Sequence, residues 1–207
     1  MFPVSTEILA TSIDGSAVRS LNHWFAASST RTDLAKALAV WPLVAIGVLA
    51  VVAWLFDWGS GPERRAALLL GVGGAVLALI GNNVLGHFYY RPRPFVAMSN
   101  VHLLIAHSRE TSMYSDHLAA AGGLTAGILA GRRWWLGGLA FLASAAIAIG
   151  RIGAGLHYPS DVVAGFAAGV VGTLILLPLR RFVAVPIRWL AGVERRIFRR
   201  RGVVQSG

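Results

Sequence analysis

Four stretches of this chain run without a charged side chain: Ala37 to Phe56, Ala66 to Tyr90, Trp134 to Gly150 and Val162 to Leu179. Each approaches the roughly 17–25 apolar residues that a helix needs to cross a hydrocarbon core of about 30 Å. In hydrocarbon every backbone N–H and C=O must be satisfied within the protein, so such segments fold as helices. Composition agrees. Hydrophobic residues make up 56% and charged residues 14%, against about 45–50% and about 25% in soluble domains. A fifth, shorter apolar run, Leu118 to Gly131, lies between Asp116-His117 and Arg132-Arg133. It reaches across hydrocarbon only if its polar start is sunk within the membrane boundary. The expected fold is all-α, a multi-pass transmembrane helical bundle of five spans with a short third one.

Ahead of the first span, Val18, Leu21, Trp24 and Phe25 recur at helical spacing within Ser16 to Ser28, with Arg19 and Asn22 elsewhere. This reads as an N-terminal interfacial helix or a re-entrant element. Met1 to Thr30 lacks the basic start, apolar core and cleavage site of a secretory signal peptide, so the first span is expected to direct insertion and nothing to be removed. Beyond the last span, Phe182 to Arg200 alternates apolar residues with arginines, as a basic helix lying on an anionic cytoplasmic leaflet does. The expected organisation is an N-terminal interfacial segment over residues 1–33, a transmembrane domain over 34–180 and a basic cytoplasmic tail over 181–207.

The net charge of +10 suggests nucleic acid only until its distribution is examined, because the basic residues are juxtamembrane. With five spans, one side carries twelve of them: Arg64, Arg65, Arg132, Arg133 and eight arginines from Arg180 to Arg201. The other carries seven: Arg19, Arg31, Lys36, Arg91, Arg93, Arg109 and Arg151. The positive-inside rule then places the C-terminus in the cytoplasm and the N-terminus outside. Arg91, Arg93, Arg109 and Arg151 lie on the disfavoured outer side, and an anionic ligand there would account for them. No nucleic-acid partner is expected. The absence of cysteine excludes a disulfide scaffold, a thiolate nucleophile and cysteine-ligated metal.

The unusual polar residues fall in three outward stretches: Arg91-Pro92-Arg93-Pro94-Phe95, Ser112-Met113-Tyr114-Ser115-Asp116-His117, and Gly150 to Asp161 with Arg151, His157 and Asp161 spaced Arg-x5-His-x3-Asp. This set resembles the type 2 phosphatidic acid phosphatase superfamily over roughly residues 66 to 180. The pattern there is Lys-x6-Arg-Pro, Pro-Ser-Gly-His or Pro-Ser-Asp-His, and Ser-Arg-x5-His-x3-Asp. The resemblance implies a fold shared with vanadate-dependent haloperoxidases, removal of phosphate from membrane lipids, and metal-independent catalysis with no cofactor. Three positions depart from the pattern: Gly86 stands for the lysine, Tyr114 for the proline and Gly150 for the serine. Arg91 or His87 is left to supply the missing cation.

Physical chemistry assigns roles to the same residues. A histidine attacks phosphorus only as neutral imidazole with one nitrogen free, and a carboxylate on the other nitrogen fixes that tautomer. His157 is the expected nucleophile, with Asp161 at i+4 as its orienter. Arg93 and Arg151 supply bidentate donors for phosphate oxygens, and Ser115, as N-cap of the third span, leaves helix N–H groups facing the anion. Arg91 and Asp116 are further candidates for the phosphate site. His117 is the expected acid for the leaving group and base for the water that follows. Glu110, Asp116 and Asp161 are too few carboxylates for a two-metal site, so no metal is expected. His87, His102 and His107 read as capping or snorkelling side chains, and Asn82 and Asn83 as interhelical hydrogen-bonding groups.

The segment from Arg93 to His117, with Val101-His102-Leu103-Leu104-Ile105 and His107 within it, is similar to bacterial undecaprenyl-pyrophosphate phosphatases associated with bacitracin resistance. That resemblance implies a C55 polyprenyl diphosphate substrate, a bacterial cytoplasmic membrane, an active site on its outer face, and recycling of the carrier for peptidoglycan synthesis. Phosphatidylglycerol phosphate, phosphatidate and lipid A phosphate are alternative substrates. A lipid carrier without catalysis is the alternative activity.

Overall fold

The computed structural model describes residues 13–56 and 61–190. Its elements in chain order are α1 (Ile13–Ala26), α2 (Ser29–Phe56), α3 (Pro62–Phe88), a single turn α4 (Pro94–Ala97), α5 (Asp116–Ala130), α6 (Trp134–Gly153) and α7 (Pro159–Leu176). A 3-10 turn, Leu177–Leu179, continues α7 into helical residues 180–190. Prolines in the first turn open α3, α4 and α7, where a missing N–H costs nothing and φ is already helical.

Four helices are long and apolar enough to span a bilayer: Ser29–Phe56, Pro62–Phe88, Trp134–Gly153 and Pro159–Leu190. They coincide with the four uncharged stretches. The expected third span is α5, whose 15 residues rise only about 22 Å. It nevertheless packs along α7, α3 and α6, and it occupies the centre of the bundle.

The outer faces are apolar, as in a lipid-facing bundle. Val48, Val51 and Leu55 on α2, Ile80 and Phe88 on α3, and Val163, Leu174 and Ile175 on α7 are all exposed. The interior uses small residues instead. A Cβ at Gly169 of α7 would come within 2.0 Å of the Ala119 carbonyl oxygen on α5, and one at Gly127 within 2.8 Å of Gly71 Cα on α3. Backbones this close gain dispersion contacts that larger side chains would prevent.

The N-terminal segment is the expected helix, and it packs on the bundle with Val18, Asn22 and Phe25 forming one buried face of α1 against α6. Asn22 therefore shares the buried stripe instead of lying away from it. At the other end, the tail does not separate from the bundle at residue 181. Ala184 and Ile187 are buried against Ala66, beside Trp54, while Arg180 pairs with Glu63 at 3.8 Å and Arg188 also pairs with it. The remainder of the tail, residues 191–207, lies outside the described residues.

Candidate active site

The ends of α3, α6 and the starts of α5 and α7 converge with the segments that join them. From Arg151 in the last turn of α6 to Tyr158 at the start of α7 every residue is buried. Gly155 turns this segment with φ of +76°, a conformation that disfavours any side chain. The turn delivers His157 just before the N-cap residue Tyr158 of α7.

The His157 ring is bound on both nitrogens. Nδ1 lies 2.9 Å from the Ser112 carbonyl oxygen. A carbonyl only accepts, so Nδ1 carries the proton and Nε2 presents a lone pair. Arg93 Nη1 at 3.3 Å and Arg151 Nη2 at 3.2 Å both donate toward that Nε2. Burial first, then the Arg151 and Arg93 charges, hold the His157 pKa well below the ordinary histidine value. Arg93 is itself fixed by donation to the carbonyls of Leu156 at 3.1 Å and Glu110 at 3.2 Å.

His157, Arg93 and Arg151 open on a cavity of about 620 Å³ whose wall also includes His117 and Asp116. The His117 ring has no hydrogen-bond partner among the described residues. These five expected site residues therefore share one cavity, and Asp161, Arg91 and Ser115 do not line it.

Asp161 is displaced from its expected contact. Its Oδ2 lies 3.9 Å from His157 Nδ1, beyond a hydrogen bond. The i+4 argument requires a helix through both residues, and α7 begins only at Pro159. The carboxylate instead accepts from the Tyr158 amide at 2.9 Å, from Ser112 Oγ and from Arg91 Nη1 at 2.5 Å. It thus fixes both the start of α7 and the segment whose carbonyl holds His157.

Arg91 spends its donors away from the cavity. Beyond Asp161 it bonds Ser160 Oγ at 2.7 Å and Asp14 Oδ2 at 2.9 Å, and its guanidinium stacks 4.2 Å from the Tyr158 ring centroid. Ser115 is the N-cap residue of α5 but is wholly buried, and its side chain makes no capping bond. Its amide donates to the Asp161 carbonyl, and α7 packs so closely that a Cβ at Gly165 would stand 2.5 Å from the Ser115 oxygen. Asp116 is on the cavity wall, where an ionised carboxylate can accept but not donate. It accepts from Asn82 Nδ2 at 2.7 Å, so its contact is structural.

Asn82 bridges helices as expected, also bonding the carbonyl and amide of Tyr114. His87 caps the last turn of α3 as expected, its Nδ1 lying 2.8 Å from the Asn83 carbonyl oxygen, and Asn83, His87 and His107 also line the cavity. Of the two candidates to replace the lysine at Gly86, His87 faces the cavity and Arg91 does not. Tyr114 takes the proline position with its hydroxyl donating to the Ala78 carbonyl at 2.5 Å. Gly150 replaces the serine where α6 crosses α2, and any Cβ there would meet Ala39 N at 2.4 Å. Asp14, Asn22 and Ser112 hold site residues without having been singled out. Ser112 opens a stretch already marked by its polar residues, whereas nothing in the sequence around Asp14 or Asn22 signals their contacts.

Comparisons with known proteins follow the same outline. The chain is 28% identical to "Undecaprenyl-diphosphatase BcrC" of Bacillus subtilis over 83% of its own length and 87% of that protein. It is 29% identical to "Bacitracin transport permease protein BcrC" of Bacillus licheniformis over 77% of this chain and 78% of that protein. "Putative undecaprenyl-diphosphatase YbjG" of Escherichia coli K12 is 31% identical, the match covering 64% of this chain and 65% of that relative. The crystal structure of Aquifex aeolicus LpxE superimposes with a TM-score of 0.64 at 24% identity, covering 83% of this chain and 98% of that one, and so shares the fold. Residues 66–183 match the PAP2 superfamily, a span that holds the bundle from α3 onward together with Arg93, His117, Arg151 and His157. With its histidine, its paired arginines and its helical frame all inside that match, the chain belongs to the PAP2 superfamily.

Proposed function

We propose that this protein hydrolyses undecaprenyl pyrophosphate to undecaprenyl phosphate and inorganic phosphate through a phosphohistidine at His157. The observation that carries the reading is a single nitrogen. His157 Nε2 has its lone pair fixed by the Ser112 carbonyl on the far side of the ring, is flanked by two guanidiniums, and opens on the cavity. The relatives named undecaprenyl-diphosphatase support the choice of lipid.

In the first step Nε2 forms a bond to the terminal phosphorus while the anhydride P–O bond breaks. The departing undecaprenyl phosphate takes a proton from His117. Arg93 and Arg151 hold the equatorial oxygens, where charge compensation matters most in phosphoryl transfer. Asp161 acts through Ser112 and Arg91, keeping Nδ1–H bonded as the ring gains positive charge. In the second step water gives a proton to His117 and attacks phosphorus, and the N–P electron pair returns to Nε2. No step requires a metal. The positive-inside count supports a site on the outer face with the tail in the cytoplasm, and the proposed substrate implies a bacterial cytoplasmic membrane and return of the product to peptidoglycan synthesis.

Phosphate release by purified wild type and His157→Ala in EDTA tests the reading, with undecaprenyl pyrophosphate, phosphatidylglycerol phosphate and phosphatidate compared side by side. The expected result is preferred turnover of the diphosphate that is lost in the variant. Turnover by His157→Ala would remove the nucleophile. Wild-type inactivity on every lipid, with tight lipid binding, would establish a carrier in its place.

A further inference from the structure

The loop that carries His157 is held from outside the family-matched span. Two side chains of α1 grip it at its two ends. At the near end Asn22 Nδ2 donates to the Gly153 carbonyl at 2.9 Å and to the His102 carbonyl at 2.8 Å, while its Oδ1 accepts from the His102 amide at 2.8 Å. The Phe25 ring covers the same Gly153, where a Cβ would stand 2.2 Å from Phe25 Cδ2. At the far end Asp14 accepts from the Ser160 amide at 3.2 Å, from Ser160 Oγ, and from Arg91 Nη2 at 2.9 Å. Arg151 lies two residues ahead of the first grip, in the last turn of α6, and His157 lies between the two.

From Asp14 a chain of polar contacts runs to the nucleophile. Arg91 joins Asp14 to Asp161, Asp161 holds Ser112 Oγ, and the Ser112 carbonyl accepts from His157 Nδ1. The Ser112 amide closes the circuit by donating to the Arg91 carbonyl at 2.8 Å. Apart from His157, none of these groups lines the cavity. Arg91, Ser112 and Asp161 are buried and Asp14 is part-exposed, and a connected set of charge-assisted hydrogen bonds of this kind is stiff and fixes the orientation of whatever it ends on.

We infer that α1 is a catalytic clamp, with Asp14 and Asn22 as positioning residues that set the orientation of His157 and Arg151 without touching substrate. This rests on the reading of His157 as nucleophile. The clamp contributes to the rate of the chemical step more than to binding, since a small misplacement of a reacting group is costly. An error of about 1 Å lowers rates by as much as roughly 100-fold.

The test uses the full chain in detergent. Phosphate release from a polyprenyl diphosphate is measured for wild type, Asp14→Asn, Asp14→Glu and Asn22→Ala, with rates expressed per orthovanadate-binding site so that unfolded protein does not count. Ser20→Ala, on the exposed side of α1, is the control. The inference predicts that Asp14→Asn and Asn22→Ala lose roughly 10- to 100-fold in kcat with KM within about twofold, and that Asp14→Glu regains part of the loss. An Asp14→Asn kcat within twofold of wild type, or a loss confined to KM, overturns it. If Asp14→Asn leaves no vanadate-binding sites, Asn22→Ala against wild type decides by the same kcat criterion. Activity in His157→Ala would refute the nucleophile, and wild-type rates in Asp14→Asn beside an inactive His157→Ala would refute the clamp alone.

Discussion

His157 is neutral and singly oriented for two separable reasons. Burial and the charges of Arg151 and Arg93 oppose its protonation, and the Ser112 carbonyl selects which nitrogen keeps the remaining proton. The sign of the pH effect follows. In the proposed mechanism the unprotonated form attacks, and a depressed pKa preserves that form as pH falls through the usual histidine range. In wild type the acid limb of kcat/KM is therefore expected below about 6.5, the ordinary value. Arg151→Gln removes a charge that opposes protonation, so its acid limb moves to higher pH. The same change lowers kcat/KM roughly 100- to 1000-fold through loss of a phosphate donor. A pH–rate profile for both proteins checks the pair, and an unmoved limb in the variant would show that Arg151 does not govern His157. At this scale the spacing Arg-x5-His-x3-Asp points to Arg151, His157 and Asp161, but i+4 spacing brings Asp161 onto His157 only within a helix, and α7 begins at Pro159. Asp14 and Asn22 were illegible for a different reason. Their partners Ser160 and Gly153 stand 146 and 131 positions away, and no local pattern encodes a contact across such a separation.

Among the elements, α5 depends on its neighbours to the greatest degree. Its first turn carries Asp116 and His117, and its wall is set by glycines of α3 and α7. At Gly169 an added methyl would stand 2.0 Å from the Ala119 carbonyl, whereas Gly138 of α6 has nothing within 4 Å. Gly169→Ala is expected to lose about 1–3 kcal/mol through overpacking and to shift α5 at the site. Gly138→Ala is expected to hold or gain slightly, because it relieves unfolded-chain entropy at no steric cost. Thermal unfolding in detergent compares them, and equal stability would mean that the α5–α7 contact yields easily. The long spans were legible from uncharged length alone. The burial of α1 was not, since Asn22 interrupts its apolar stripe and only Gly153 and His102 reveal what that side chain bonds.

For the whole molecule the account predicts a polarised bundle, with the cavity end outside and the Arg64–Arg65 end inside. A chain without cysteine suits a direct check by single substitutions. Ser99→Cys, exposed just after α4, is expected to react with a membrane-impermeant maleimide in intact cells, and Arg64→Cys only after permeabilisation. The reverse pattern would invert the topology and remove the outer-face supply route. The charge distribution in the sequence is the basis for predicting this orientation, whereas the shape of the cavity depends on contacts that sequence does not display. The central claim is covalent chemistry at one nitrogen, and His117→Ala offers the most direct view of it. A phosphate leaving an anhydride needs less help from an acid than water needs from a base, so loss of His117 slows the second step more than the first, and the account predicts that acid-sensitive, base-stable phosphate accumulates on His157 after brief exposure to polyprenyl diphosphate and is located there by peptide mass spectrometry. An active enzyme that never carries phosphate on His157, or carries it elsewhere, would contradict the account.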